Sequence, residues 1–176
     1  MASNKDSFFD LISSRHSVRA FKDAPLPDEM MEKILNAANK AASAGNLQSY
    51  QIFVVTKKEN KKKLVVAAHD QNFIEEASAV LVFCADPKNS AIEYGKRGEE
   101  LFCIQDATIA CSYSQLAAHA LGLSSVWVGS FDEQKVISNL ALRSDLKPVA
   151  MMVLGYPNEV PEITTRKPLN QISHKL

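Results

Sequence analysis

The chain has 176 residues, with 20 lysines and arginines balanced by 20 aspartates and glutamates. A single domain accounts for that length, and zero net charge leaves no overall field to draw the protein to nucleic acid or to an anionic membrane. An anionic ligand, if there is one, must be held by a local cluster.

The start, Met1-Ala2-Ser3-Asn4-Lys5-Asp6, is polar and opens no signal-peptide core. No apolar run reaches the roughly eighteen residues a membrane span needs. The three cysteines, Cys84, Cys103 and Cys111, lie far apart in apolar or helical contexts, without the spacing of a zinc site or a disulfide framework. They read as small buried thiols in a reducing compartment, so the expected location is the cytoplasm, with no membrane and no metal.

Residues 6 to 14 place Phe8, Leu11 and Ile12 on one face of a short helix. Directly after it comes Ser14-Arg15-His16-Ser17-Val18-Arg19-Ala20-Phe21, in which Arg15, Ser17 and Arg19 would share one face of an extended segment. Two guanidiniums, an imidazole and a hydroxyl suit phosphate oxygens, and they equally suit a solvated basic turn.

Asp23-Ala24-Pro25-Leu26-Pro27 breaks regular structure, and Asp28 and Glu29 favour the positive start of the helix that follows. Met31, Ile34, Leu35, Ala38, Ala41 and Ala42 recur at helical steps. Ser43-Ala44-Gly45-Asn46-Leu47-Gln48-Ser49 ends that helix, and Tyr50 to Thr56 reads as a strand. The lysine-rich stretch from Lys57 to Lys63 opens a helix carrying Leu64, Val65 and Ala68, with its lysines on a solvated face.

Ala79 to Ala85 is a continuous apolar run, as expected of a strand buried on both faces. Asp86 to Gly98 is a loop or short helical connection. A long helix follows from about Glu99 to Leu121, with Leu101, Phe102, Gln105, Ile109, Tyr113, Leu116, Ala117 and Ala120 on one broad face. Its many small residues allow packing nearly all round, which makes it central to the domain or to a dimer. Gly122 closes it. Leu123 to Val128 is a third strand, Asp132 starts a helix that ends at Leu140, and Lys147 to Leu154 is the fourth strand. Its natural neighbour is the equally apolar Ala79–Ala85 run; the rest of the sheet order is not readable from spacing.

The sequence holds no G-x-G-x-x-G, no P-loop, no H-E-x-x-H and no G-x-S-x-G elbow, and its four histidines are scattered. His119 reads as a packed or partly exposed helix residue rather than a ligand. What remains is a basic cluster, a loop of amide side chains at Asn46 and Gln48, and a strand end at Trp127-Val128-Gly129-Ser130. Amides can read the alternating donors and acceptors of a planar heterocycle, and glycine lets main chain approach a ring. These are the requirements of a flavin mononucleotide site, although each part also has a plain loop or cap explanation.

Arg15-His16-Ser17-Val18-Arg19, Ala42-Ser43-Ala44-Gly45-Asn46-Leu47-Gln48 and Leu121 to Gly129 resemble the nitroreductase family in order and spacing. Pro148-Val149-Ala150, Gly155-Tyr156-Pro157 and Thr165-Arg166-Lys167-Pro168 add to the resemblance, which covers nearly the whole chain. It implies one FMN-binding domain over residues 1–176, of α+β class, with a central, mostly antiparallel sheet flanked by helices. Two such chains would intertwine as a homodimer. Carried over position by position, the resemblance implies that Arg15, Ser17 and Arg166 hold the FMN phosphate and ribityl chain, with His16 alongside. Arg19 would sit at the pyrimidine edge, where its charge favours the reduced flavin. Ser43, Asn46 and Gln48 would come from the partner, and Val128 and Gly129 would bring backbone to the reactive nitrogen.

The implied activity is ping-pong hydride transfer from NADH or NADPH to nitroaromatics, quinones or similar small acceptors. No residue is assigned as a catalytic acid or base. The sequence departs from the family pattern at Ala42 and at Ser49-Tyr50, where Pro and Pro-Trp are usual, and at Val128, where some members carry glutamate. These departures bear on the substrate rather than on the flavin. Two other readings stand beside this one: a flavin-dependent relative that does not use nicotinamide (dehalogenase-like or flavin-handling), and a non-enzymatic anion-binding domain.

Overall fold

The computed structural model describes residues 4–176, so the polar Met1-Ala2-Ser3 start lies outside the described residues. Four strands, β1 (Tyr50–Val55), β2 (Ala79–Ala85), β3 (Ser124–Val128) and β4 (Lys147–Gly155), form one sheet in the order β1-β2-β4-β3. Every neighbouring pair is antiparallel. The two most apolar strands therefore sit in the middle, as their composition requires, with Val80 opposite Val153 and Val82 opposite Met151. The register slips between Phe83 and Cys84, where Cys84 faces Pro148. A bulge accommodates a residue that has no N–H to give to the ladder.

Alternation along β2 and β4 divides the core in two. Ala79, Leu81, Phe83, Ala150, Met152 and Leu154 face helices α2 (Asp28–Asn39) and α6 (Cys103–Ala120). Val80, Val82, Cys84, Met151 and Val153 face α3 (Lys58–Ala67) and α7 (Glu133–Asn139), joined there by Val18 and Phe21. Asp132 accepts from the Lys135 amide at 3.0 Å and caps α7. Helix α1 spans Asn4–Ser14, α4 is the single turn Phe73–Glu76, and α5 runs Pro87–Arg97 through a kink at Gly95. A π-helical turn, Gly98–Phe102, leads from α5 into α6. Among the described residues no helix is long and apolar enough to cross a membrane.

Three expectations change. The face of α6 that packs on the sheet is its small one, Ala110, Cys111, Ser114 and Ala118, while Ile109 and Tyr113 remain 36% and 44% exposed. Small side chains let a helix axis approach a sheet closely, so the larger residues turn outward. Lys61 is also not on a solvated face. It is buried at α3, and its Nζ donates to the Ala77 carbonyl at 2.5 Å. Helix α4 was not read from the sequence, because four residues are too few for a periodicity. All three thiols are free and buried. Burial raises Cys84 to about 12 and pushes Cys111 and Cys103 upward, so none is available as a thiolate at neutral pH.

Candidate functional site

The basic segment after α1 is held as an extended piece along the free side of β3. Ser17 bridges Ser125 in parallel, the Val18 amide donates to the Ser125 carbonyl at 3.2 Å, and Phe21 bridges Pro157. The Lys22 amide donates to the Tyr156 carbonyl and the Asn158 amide to the Ala20 carbonyl, both at 2.9 Å. Val18 and Phe21 point into the core and pin the segment. Alternation then turns Ser17 and Arg19 outward, which is the shared face expected from the sequence.

On that outer side lies a cavity of about 340 Å³ lined by Arg15, His16, Ser17 and Arg19 and, from the chain beyond β4, by Glu159, Val160, Glu162, Thr164 and Arg166. Residues from the two ends of the sequence thus meet across the sheet edge. The Arg166 guanidinium donates to Thr164 Oγ1 at 2.8 Å and to the Thr165 carbonyl at 3.1 Å. Among the described residues, none of Arg15, Arg19 and Arg166 has a carboxylate within 4.0 Å of its guanidinium. Glu159 lies in the cavity, but its carboxylate accepts from the backbone amide of Arg19, at 2.5 Å, and leaves the guanidinium free. Three guanidiniums outnumber the carboxylates of Glu159 and Glu162 around one concavity, and that positive excess, with free N–H groups, suits an anion.

The amide loop is a second, separate assembly. It folds through a 3₁₀ turn at Ala44–Asn46, with Gly45, Asn46 and Gln48 at φ of 54°, 58° and 50°. Asn tolerates the left-handed region; for Gln48 it costs on the order of 1–2 kcal/mol. The hydroxyl of Tyr94 sits against Gly45 where a Cβ would stand, so a side chain there would displace Tyr94 as well as strain the left-handed backbone.

Asp106, buried at the start of α6, holds both ends of the loop: Ala44 N donates to Oδ1 at 2.9 Å and Ser49 N to Oδ2 at 3.3 Å. The Gln48 backbone N–H donates to Ser43 Oγ at 3.1 Å, and the Gln48 side-chain Nε2 donates to the Asn46 backbone carbonyl at 2.8 Å. Asn89 Nδ2 donates to the Leu47 carbonyl and to Ser49 Oγ, each at 3.1 Å. Tyr50 donates its hydroxyl to the Ala38 carbonyl at 3.1 Å. Burial, and then the charge of Asp106, raise its pKa and keep that donor protonated.

The end of β3 is the third assembly. Val128 is buried in register with Met151, whereas Gly129 is exposed just beyond the strand. Because the Ser125 carbonyl faces the basic segment, alternation puts the N–H groups of Trp127 and Gly129 on that same open edge and turns those of Val128 toward β4. Of the two strand-end residues expected to offer backbone, Gly129 is the one so placed.

Within one chain, then, Arg15, His16, Ser17, Arg19 and Arg166 come together. Ser43, Asn46 and Gln48 form their own group; none of them lines the arginine cavity, and among the described residues no hydrogen bond joins the two groups. Asp106, Glu159 and Tyr94 were not singled out from the sequence. Only Asp106 left a signal: it is the single formally charged residue, histidine aside, in an otherwise neutral eighteen-residue helix.

A four-stranded antiparallel sheet packed between helices, with an arginine-lined cavity on its β3 edge, defines an α+β protein of nitroreductase-like architecture. The family model described as "Nitroreductase family" matches residues 12–156, and the chain belongs to that family. It is 32% identical over 185 residues to an NADH dehydrogenase of Thermus thermophilus, covering 90% of each chain. It is 27% identical over 173 residues to the oxygen-insensitive NADPH nitroreductase of Salmonella typhimurium, covering 94% of this chain and 72% of that one. The solved NADPH:FMN oxidoreductase of Vibrio harveyi, complexed with NAD+, superposes with a TM-score of 0.87 at 28% identity, over 96% of this chain and 76% of that one.

Proposed function

We propose that this protein is an FMN-dependent NAD(P)H oxidoreductase that reduces nitroaromatics, quinones or similar flat acceptors. The observation that carries the reading is the convergence of Arg15, Ser17, Arg19 and Arg166 on one cavity, whose three guanidiniums have no carboxylate within 4.0 Å among the described residues. A phosphate monoester, anionic and rich in acceptor oxygens, suits that donor set. The names of the Salmonella and Vibrio relatives, with their nicotinamide nucleotide and flavin, support the same cofactors here.

Bound FMN supplies hydride and electron transfer between a nicotinamide and an acceptor; the protein supplies position and electrostatics. Arg15, Ser17 and Arg166 hold the phosphate and ribityl chain, with His16 beside them. Arg19 brings its charge to the pyrimidine edge, and Glu159 fixes the main chain from which Arg19 projects. Gly129, whose N–H lies on the open edge of β3, would offer a donor to the flavin ring. Ser43, Asn46 and Gln48, which stand apart from the arginines in one chain, complete the site from a second copy. The exposed apolar side chains of α1 and α6, among them Phe8, Phe9, Ile12, Ile109 and Tyr113, give the homodimer its apolar contact. No titratable side chain is assigned as a general acid, and the expected location is cytoplasmic.

The test is reconstitution. Protein freed of cofactor and mixed with FMN should retain a yellow chromophore through gel filtration, and retain riboflavin far less. The FMN form should bleach anaerobically with NADH or NADPH and regain its colour on adding a quinone. A colourless protein overturns the flavin assignment. A yellow one that neither nucleotide bleaches overturns the nicotinamide half and favours the relative that takes its electrons elsewhere.

A further inference from the structure

Among the described residues Arg97 is the one arginine that neither lines the phosphate cavity nor enters an ion pair. Arg97, at the end of α5, lies with its guanidinium carbon 5.3 Å from the centroid of Phe102. Among the described residues no carboxylate lies within 4.0 Å of it and no hydrogen bond engages it, although its neighbour Lys96 is paired with Glu100 at 3.5 Å. Phe102 in turn meets Tyr94 edge to face, with ring centroids 5.1 Å apart and planes at 80°. The Tyr94 hydroxyl rests on Gly45 of the amide loop. Phe102 also forms one wall of a cavity of about 490 Å³ that is bounded by Ser43 and Ala44 of the same loop.

Arg97, Phe102 and Tyr94 therefore form a continuous wall built onto the loop that carries Asn46 and Gln48. The kink at Gly95 and the π-helical turn at Gly98–Phe102 shape that wall, since a straight helix would not set the guanidinium over the ring in this way. A guanidinium stacked on an aromatic face keeps its N–H edge free, a geometry suited to a carboxylate or phosphate borne on a flat, apolar body.

We infer that Arg97 and Phe102 form a subsite for an anionic group on one of the reactants, so that the protein favours negatively charged nicotinamide nucleotides or aromatic acids over their neutral counterparts. The inference rests on the flavin reading above, because it is the amide loop's place at the ring that brings this wall to the reactants. The anion could be the phosphate of the electron donor or the carboxylate of an acceptor, and the test separates the two.

Calorimetric titration of the FMN-loaded protein is carried out anaerobically with four ligands that do not react: NADP+ against nicotinamide, and benzoate against benzamide. In the Arg97→Gln variant at least one anionic ligand should bind roughly 10-fold more weakly, while nicotinamide and benzamide stay within about twofold of wild type. Loss confined to NADP+ assigns the subsite to the donor, and loss confined to benzoate assigns it to the acceptor. Arg97→Lys should recover part of the affinity, since it restores the charge without the fork. Unchanged affinity in both pairs, or equal loss for the charged and neutral members of each pair, overturns the inference. Failure of the flavin reading would show separately, as wild-type protein that does not load with FMN.

Discussion

The clearest quantitative prediction concerns Asp106. Its carboxylate is 2% exposed and accepts two backbone N–H groups, one at 2.9 Å and one at 3.3 Å, at opposite ends of the Ser43–Ser49 loop. Hydrogen bonds to a charged acceptor are worth about 1.5–3 kcal/mol each, and a stretched one sits at the bottom of that range. Asp106→Ala leaves both donors unpaired, so we expect a loss of about 3 kcal/mol, a sizeable part of the roughly 5–15 kcal/mol of a typical domain. Asp106→Asn keeps one acceptor oxygen but turns an NH₂ toward the second amide, and should lose about 2 kcal/mol.

The assay is urea unfolding at one fixed protein concentration, because association contributes to apparent stability, together with amide hydrogen exchange at Ala44 and Ser49. Those two amides should lose protection in both variants. An unfolding free energy within about 0.5 kcal/mol of wild type for Asp106→Ala, the level of a surface substitution, would refute the clasp.

Three further outcomes are expected. Arg15→Ala and Arg166→Ala should each weaken FMN binding by roughly 10- to 100-fold while leaving riboflavin binding nearly unchanged, as read from flavin fluorescence; equal loss for both flavins would count against a phosphate role. Burial lowers the Lys61 pKa below the ordinary lysine value, so the folded state gives up that proton at a lower pH than the unfolded chain does. Stability should accordingly rise as pH climbs from the folded value to the unfolded one, and this segment of the profile should flatten in Lys61→Met, followed by denaturation at alkaline pH. Ile109→Arg, on the outward face of α6, should shift gel-filtration elution from dimer to monomer and lower FMN retention with it; a dimer that persists would place the interface elsewhere.

The sequence told most where periodicity or chemistry was redundant. The apolar runs at Ala79–Ala85 and Val149–Leu154 announced a central strand pair, and the alternation of Arg15, Ser17 and Arg19 announced an outward face that Val18 anchors from behind. It told least where packing distance decides the outcome. Helix α6 carries apolar residues on several sides, and hydrophobicity alone favoured the large ones for the core; close approach to the sheet chose alanine, cysteine and serine instead. Lys61 was misread because a lysine run signals solvent unless one member finds a buried carbonyl, and Ala77 lies beyond any local pattern. Asp106 and Glu159 act on main-chain amides 57 to 140 residues away, a partnership that leaves no spacing to detect.

The strapping of the basic segment along β3 has a consequence for the history of the chain. Arg15 emerges early in synthesis, β3 much later and Arg166 last of the three, yet all must be in place before three guanidiniums surround one cavity. Closing such long loops is entropically costly. A ligand that needs all three arginines is admitted only to a chain in which the segment after α1 and the segment beyond β4 have both reached the edge of β3. Its binding energy is then added only to the state in which both ends of the sequence are docked.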